Sequence, residues 1–296
     1  MKKTAAIVVT YNRKDLLKES INSLMKQTCH DDMEIIIIDN ASTDGTYDYI
    51  SDLVESKAVI YKNTGANLGG AGGFQYGVKY AVINGYDFIW MMDDDSIPQP
   101  DALEQLLFWH EKLEGNYGFL ASKVLWTDGS ICNMNVQKTS INKKVEDFTT
   151  DKVKIIASTF VSMFFSTDIV KEIGLPIKEF FIWCDDLEYT RRISMKHPCY
   201  LINNSVVVHK CGSNSGSNIA IDNYERLPRY KYAYRNEMYF FRREGIKGRI
   251  YHVVRLILHI MRVVFKADNH KFERLSVIFK STKEGINFNP QIEYIK

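Results

Sequence analysis

The sequence predicts an α/β fold built on a doubly wound, mostly parallel sheet with a C-terminal helical extension. Three observations carry this. Short apolar runs alternate with helical periods through the first hundred residues, and strands separated by single helices pair in parallel through right-handed crossovers. Polar motifs sit at the carboxyl ends of those runs, where sheets of this kind bind ligands. From residue 225 onward the composition becomes basic and strongly amphipathic.

Each element follows from its pattern. Ala5–Val9 is a short apolar strand, and Asp15–Gln27 places Leu16, Leu17, Ile21, Leu24 and Met25 at helical spacing. Glu34–Ile38 is a continuous apolar strand ending in Asp39-Asn40. Ser42–Gly45 opens a helix, with Thr43 or Asp44 as its cap. Ala58–Tyr61 is a third strand. The glycine-rich Asn67–Gly73 precedes a helix from about Phe74 to Asn84, and Phe88–Met92 is a fourth, buried strand. Asp101–Leu113 reads as a helix and Gly118–Leu125 as a strand. The polar stretch 127–154 has no clear period, and the apolar 155–166 returns to the sheet. A helix carrying Arg191 and Arg192 follows Asp185-Asp186. Tyr200–His209 is a strand, and Gly212–Asn218 is a loop.

The chain has 296 residues, 45% of them hydrophobic, enough for one large α/β domain with an appendage. No run of eighteen uncharged apolar residues predicts a membrane span. The N-terminus, basic then apolar, lacks a long h-region and reads as a first strand rather than a signal peptide. Cys29, Cys132, Cys184, Cys199 and Cys211 are odd in number and form no CxxC pair. That pattern predicts reduced thiols in the cytoplasm and no zinc site. The net charge of +2 hides an asymmetry: residues 225–296 hold 16 of the 38 basic and 7 of the 36 acidic side chains. A basic tail on an acidic body points to an anionic surface as a partner.

The most informative segment is Phe88–Asp95, an apolar run ending in three consecutive carboxylates. Alternate residues of an extended chain point to opposite sides, so Asp93 and Asp95 converge while Asp94 points elsewhere. Two hard oxygen ligands suit Mg²⁺ or Mn²⁺ held jointly with phosphate oxygens. A solvated acidic turn, helped by Ser96 and Pro98, is the structural alternative. Asp185-Asp186 is a second carboxylate pair. It reads either as two acids favoured by a helix N-terminus or as a general base beside the aromatic Phe180, Phe181 and Trp183; for the two Phe residues a core position is the stronger reading. His209, closing a β-branched strand, is a structural histidine or a third metal ligand. Asn67–Phe74 permits close backbone approach to a ligand but matches neither a dinucleotide nor a Walker loop.

Taken in order, Val8–Arg13, Ile37–Gly45, the triple aspartate and Asp185–Tyr189 resemble the family-two glycosyltransferases of GT-A fold, over roughly residues 5–240. Asn67–Phe74, and Arg235-Asn236 after a tyrosine cluster, are similar to the galactofuranosyl- and rhamnosyl-transferring branch, with GGAGGF leaning to galactofuranose. The resemblance implies a GT-A domain over 1–240, with a donor half over about 1–100, an acceptor half over about 101–240, and a tail over 241–296. It implies that Thr10, Tyr11, Arg13 and Asp39 hold the nucleoside diphosphate, Asp39 toward the base, with Asn67, Gly70 and Asp94 also on the donor. Asp93, Asp95 and His209 would hold Mn²⁺ or Mg²⁺. Asp186, with Asp185 beside it, would deprotonate the acceptor in a single inverting displacement. Trp183 and Trp126 would contact the acceptor, although relatives often carry Trp directly before the acid pair and Cys184 intervenes here. The implied donor is UDP-galactofuranose, with dTDP-rhamnose as alternative, and the implied acceptor is a glycan or lipid-linked acceptor.

Two rival readings are weaker. A nucleotidyltransferase would want phosphate-gripping lysines after the first strand, where only Arg13 and Lys14 qualify, and a silent nucleotide-sugar module would not need the acid pair at 185–186. In the tail, His252, Arg255, His259, Arg262 and Lys266 form one polar stripe over Gly248–Lys266, and the positions between them from Val253 to Phe265 are apolar. That apolar face predicts contact through 249–266 with the inner membrane surface, or packing on the body or on a second copy in a homo-oligomer. The tail is too apolar to track nucleic-acid phosphates.

Overall fold

The structure, a computed structural model, describes residues 3–295. Its first half follows the predicted alternation: β1 (Thr4–Thr10), α1 (Lys14–Leu24), β2 (Met33–Asp39), α2 (Thr46–Glu55), β3 (Val59–Asn63), α3 (Gly69–Ile83) and β4 (Phe88–Asp93). Strands β3, β2, β1 and β4 lie in that order and are parallel. Alternation puts Ala5, Ile7, Val9, Ile89 and Met91 on one face under Phe74, Val78 and Ala81 of α3. The opposite face buries Ala6, Val8, Trp90 and Met92 against Leu17, Ile21 and Leu24 of α1. The expected cap is displaced: the N-cap of α2 is Gly45, at φ 81°, and Asp44, one residue earlier, accepts from Thr46 N at 3.2 Å with its Oδ1.

The glycine run departs from expectation. It is not a loop before the helix but the first turns of α3. A Cβ on Gly73 would meet Val9 Cγ1 at 2.5 Å, and one on Gly77 would meet Ile7 Cγ2 at 2.6 Å. The glycines therefore let α3 lie directly on the sheet.

The second half contains β5 (Ser96–Pro98), α4 (Ala102–Lys112), β6 (Leu120–Leu125), β7 (Lys138–Ser140), β8 (Lys143–Lys144), β9 (Lys152–Ile155), β10 (Met163–Ser166), α5 (Thr167–Ile173), α6 (Asp185–Ser194) and β11 (Cys199–His209). The main sheet continues β4-β10-β6-β11-β5, with β9 also on β11. Here the pairing is mixed: β10 is antiparallel to both neighbours, β11 is parallel to β6, and β5 and β9 are antiparallel to β11. The patternless stretch 127–154 supplies β7, β8 and the start of β9.

Three helices follow: α7 (Tyr230–Arg243), α8 (Gly245–Lys266) and α9 (Lys271–Asn287). Helix α9 packs on α7 so closely that a Cβ on Gly285 would sit 2.6 Å from Arg235 O. The chain beyond α9 then returns to the body, where Leu175 N donates to Glu293 O at 2.8 Å and Lys79 pairs with Glu293 at 2.5 Å. No described helix is long and apolar enough to cross a membrane.

Helix α8 inverts the usual amphipathic arrangement. Its polar stripe faces the protein: His252 is buried against the Phe241 ring, Arg255 pairs with Glu237 at 2.6 Å, and His259 lies 3.0 Å from Tyr234 Oη. Its apolar side, with Val253, Val254, Ile257, Leu258, Met261, Val264 and Phe265, is exposed. Of the predicted stripe, His252 is buried, Arg255 and His259 are half-buried, and Arg262 and Lys266 are exposed.

Candidate active site

Strand register brings the motifs to one edge. Thr10 pairs with Asp39, Val9 with Asp93, and Asp39 with Asn63, so the carboxyl ends of the parallel strands are level. After Asp95 the chain turns into β5, which pairs with the end of β11; Ser96 lies opposite His209, and Lys210 N donates to Asp95 O at 2.9 Å. This crossover brings His209 to the triple aspartate from far along the chain.

Asp93, Asp95 and His209 each point a ligand atom into one spot, all within 4.8 Å of one another. His209 Nε2 lies 2.9 Å from Asp95 Oδ1, and Nδ1 lies 2.8 Å from Asn135 Oδ1. Burial, and then the neighbouring Asp95, push the Asp93 carboxyl up to about 7. Burial also presses Asp95 upward, but His209 and Arg13 outweigh it and hold that carboxyl below its usual range. Two hard carboxylates and one imidazole, crowded with negative charge, form a donor set that fits a divalent cation. As expected Asp94 points elsewhere: its Oδ2 accepts from Thr10 Oγ1 at 2.7 Å and its Oδ1 from Arg13 Nη1 at 3.2 Å. Burial pushes it up to about 6 against the pull of Arg13.

On the donor side, Arg13 Nη1 also reaches Asp95 Oδ2 at 2.7 Å. Tyr11 stands exposed at the rim, while Thr10 is buried and its hydroxyl engages Asp94. Asp39 is buried, accepting from Tyr61 Oη at 2.5 Å and Ser42 N at 2.8 Å. Asn67 Oδ1 accepts from Gly69 N at 2.9 Å, closing the turn into α3. Gly70 in that first turn has open space where a side chain would stand.

The acid pair opens α6. Asp185 is buried, and its carboxyl is held well above the usual range by burial, by Asp186 and by Asp93, which puts the pair in electrostatic reach of the aspartate cluster. Asp186 is half-buried; burial raises it to about 6 although Leu187 N donates to its Oδ1 at 2.6 Å. The loop before it is strained: Phe181, Trp183 and Cys184 have φ of 63°, 66° and 65°, a left-handed conformation that bulky residues rarely adopt. The Arg235-Asn236 pair of α7 holds it. Asn236 Nδ2 donates to the carbonyls of Phe180 at 2.9 Å, Ile182 at 3.2 Å and Trp183 at 2.9 Å, and Arg235 Nη2 to Glu179 O at 2.6 Å. From the other side, Ala71 N donates to Phe181 O at 3.1 Å, and a Cβ on Gly69 would overlap that carbonyl at 2.1 Å.

The aromatic candidates separate. Phe180 is buried against Tyr239 and Phe288, a core residue as expected. Phe181 is not core: it is half-buried and stacks on Tyr232 with centroids 4.8 Å apart. Trp183 sets its edge on Tyr230 at 5.0 Å. Trp126 belongs to another cluster, with Val124, Cys132, Val161 and Val207, and its Nε1 donates to Cys211 O at 3.0 Å. Asn236 and Asn135 received no role from the sequence. Asn236 was visible only as part of a branch signature, and Asn135 lay in the patternless stretch.

A level row of polar motifs on a parallel sheet, a carboxylate–imidazole cluster at its rim and an acid pair opposite define a GT-A glycosyltransferase. The profile of Glycosyl transferase family 2 matches residues 5–169. Galactofuranosyltransferase GlfT1 of Mycobacterium tuberculosis is 31% identical over 228 residues, 71% of this chain and 70% of that protein. GlfT1 of Mycolicibacterium smegmatis is 24% identical over 82% of this chain and 84% of that one. Among solved structures, S. aureus TarS 1-349 aligns over 97% of this chain and 72% of its own with a TM-score of 0.57 at 15% identity, and its complex with UDP gives 0.55. At that identity the likeness speaks for the fold alone. The chain belongs to glycosyl transferase family 2, in its galactofuranosyltransferase-like branch, and is a hexosyltransferase.

Proposed function

We propose that the chain transfers galactofuranose from a UDP donor to a hydroxyl of a growing, lipid-linked surface glycan, with inversion at the anomeric carbon. The observation that carries this reading is the acid pair at the start of α6, within electrostatic reach of Asp93 and set on a strained, clamped loop. The names of the GlfT1 relatives support galactofuranose; dTDP-rhamnose is the competing donor.

In this mechanism Asp186 accepts the proton of the acceptor hydroxyl. The acceptor oxygen forms the new bond to the anomeric carbon while the bond to the nucleoside diphosphate oxygen breaks, and one displacement gives inversion. Burial pushes the Asp186 carboxyl up to about 6, so it is partly protonated at the low end of the pH range and open for proton transfer above it. Arg13 stands beside Asp94 and Asp95 to meet the diphosphate, Tyr11 stands at the rim for the nucleoside, and Asp39, tied by Tyr61 and Ser42, shapes the base site. Asp93, Asp95 and His209 would hold Mn²⁺ or Mg²⁺, which as a Lewis acid stabilises charge on the departing diphosphate. Residues 1–100 would then bind the donor and 101–240 the acceptor. The outward apolar face of α8 would rest on the inner membrane surface beside a lipid-linked acceptor.

Asp186→Asn tests the assignment. With UDP-galactofuranose and Mn²⁺, donor binding by calorimetry should persist while sugar transfer falls at least a thousandfold, within the range for loss of a positioned base. Transfer at more than a tenth of the parent rate would assign the base elsewhere.

A further inference from the structure

His209 stands between two clusters. Its Nε2 faces Asp95, while its Nδ1 lies 3.9 Å from Cys132 Sγ, and Cys132 Sγ lies 3.9 Å from Cys211 Sγ. The ligand atoms of Cys132, Cys211 and His209 all fall within 4.8 Å of one another. We propose that Cys132, Cys211 and His209 Nδ1 form a second metal site, for a thiophilic cation of the Zn²⁺ class, that antagonises the carboxylate site through their shared imidazole.

The spacing fits. Tetrahedral zinc with bonds of about 2.3 Å to sulfur and about 2.0 Å to nitrogen separates two sulfurs by about 3.8 Å and sulfur from nitrogen by about 3.5 Å. Two of the observed separations are 3.9 Å and 3.9 Å, and the third, Cys211 to His209, is within 4.8 Å. Closure around an ion draws Cys211 inward by up to about 1 Å and turns Asn135 Oδ1 away from Nδ1 and the Cys132 thiol, which it now accepts from at 2.8 and 2.9 Å. A Cys₂His set with water in the fourth place is an established zinc arrangement, and thiolates select against Mg²⁺ and Mn²⁺.

The positions are rigid. Cys132 N donates to Val124 O of β6 at 2.9 Å, and Cys211 follows β11 with its carbonyl accepting from Trp126 Nε1 at 3.0 Å. Strands β6 and β11 are neighbours, which brings together two thiols from distant parts of the sequence. Cys132 is fully buried and Cys211 partly exposed, so the ion's approach is from the Cys211 side. Asp95 at 2.9 Å from Nε2 completes a carboxylate–histidine–metal line of the kind that orients zinc-binding imidazoles.

The antagonism follows from one ring. A neutral imidazole offers one lone pair. An ion among the thiols takes it at Nδ1 and leaves Nε2–H donating to Asp95. An ion at the carboxylates takes it at Nε2 and leaves Nδ1–H donating to Asn135. Each ion therefore removes a ligand from the other's site.

The binding claim stands without the glycosyl-transfer reading; only its effect on turnover rests on that reading. Co²⁺ titrated into the reduced full-length protein should give a near-ultraviolet thiolate-to-cobalt charge-transfer band saturating at one ion per chain. Zn²⁺ should abolish the band, and Cys211→Ser and Cys132→Ser should each lack it. Co²⁺ at the carboxylate cluster gives no such band. In Mn²⁺-supported sugar transfer, the Zn²⁺ concentration for half inhibition should rise at least tenfold in Cys211→Ser, with turnover without zinc within twofold of the parent. No band in the parent, or an unchanged band in both variants, overturns the site. Equal zinc inhibition of the parent and Cys211→Ser overturns the antagonism. A thiolate band in a protein that transfers no sugar from any donor leaves the site standing and removes the proposed function.

Discussion

Replacing Asn236 with alanine isolates the cost of holding the acid-pair loop. The amide sits fully buried and gathers the carbonyls of Phe180, Ile182 and Trp183. At about 1 kcal/mol for each hydrogen bond, its loss removes about 2–3 kcal/mol. The loop it holds contains three non-glycine residues at positive φ, each storing about 1–3 kcal/mol of strain. The summed strain, about 3–9 kcal/mol, is at least as large as the bond energy. Without the amide the loop relaxes, which limits the stability loss to about 2 kcal/mol but depopulates the geometry that aims Asp186. Each 1.4 kcal/mol of that shift is about tenfold in rate, so kcat should fall about 10- to 100-fold. Urea denaturation reads the first quantity and turnover at saturating donor the second. Asn236→Asp, which points a carboxylate at three carbonyl oxygens, should do no better. An alanine variant within about 0.5 kcal/mol of the parent and within twofold in kcat would refute the clamp.

Three further outcomes follow. Burial holds Asp186 at about 6, and only its ionised form accepts a proton; turnover should be level above pH 6 and fall toward tenfold per pH unit below it, a limb absent from a kcat–pH profile only if another group is the base. Gly77→Ala places a Cβ 2.6 Å from Ile7 Cγ2 and 3.1 Å from Ile38 Cγ1; overpacking of this kind costs about 1–3 kcal/mol, read as a lower urea midpoint at unchanged m-value. Ile257→Glu with Leu258→Glu changes two exposed positions of α8; the pair should abolish co-flotation with vesicles containing anionic lipid while leaving thermal stability unchanged, whereas loss of a concentration-dependent dimer instead would assign the face to a second copy.

The parallel half of the sheet was legible because its signals are local. Each strand is a short apolar run, each helix has its own period, and the polar residues fall where the strands stop. The start of α3 was misplaced because five glycines suggest a loop when read alone; only the closeness of Val9 and Ile7 shows why a helix there must lack side chains. The second half resisted for a different reason. Its antiparallel strands are short, β8 being Lys143–Lys144, and their partners lie far along the chain, so no local window contains the pattern. The site divides the same way. Asp93–Asp95 was legible as a run, and their convergence with His209 was suggested by order along the chain. The meeting of Cys132 with Cys211 depends on strand pairing alone, and the absence of a CxxC pair could not foretell it.

The loop and the surface helix share one support. Asn236 and Glu237 are consecutive on α7, and successive residues of a helix project about 100° apart. Asn236 turns to the carbonyls before the acid pair, and Glu237 turns to Arg255 of α8 at 2.6 Å. The Glu237–Arg255 pair is largely buried, with side-chain exposures of 14% and 32%. Breaking one partner of such a pair strands a charge away from water and costs far more than a surface pair is worth. That is why α8 turns Arg255 inward and leaves its apolar side outward, against the ordinary pattern of a surface helix. Whatever covers that apolar side acts on a helix seated directly on the element that clamps the catalytic loop. The outward apolar face of α8 and the loop before the acid pair are thus joined through consecutive residues of α7.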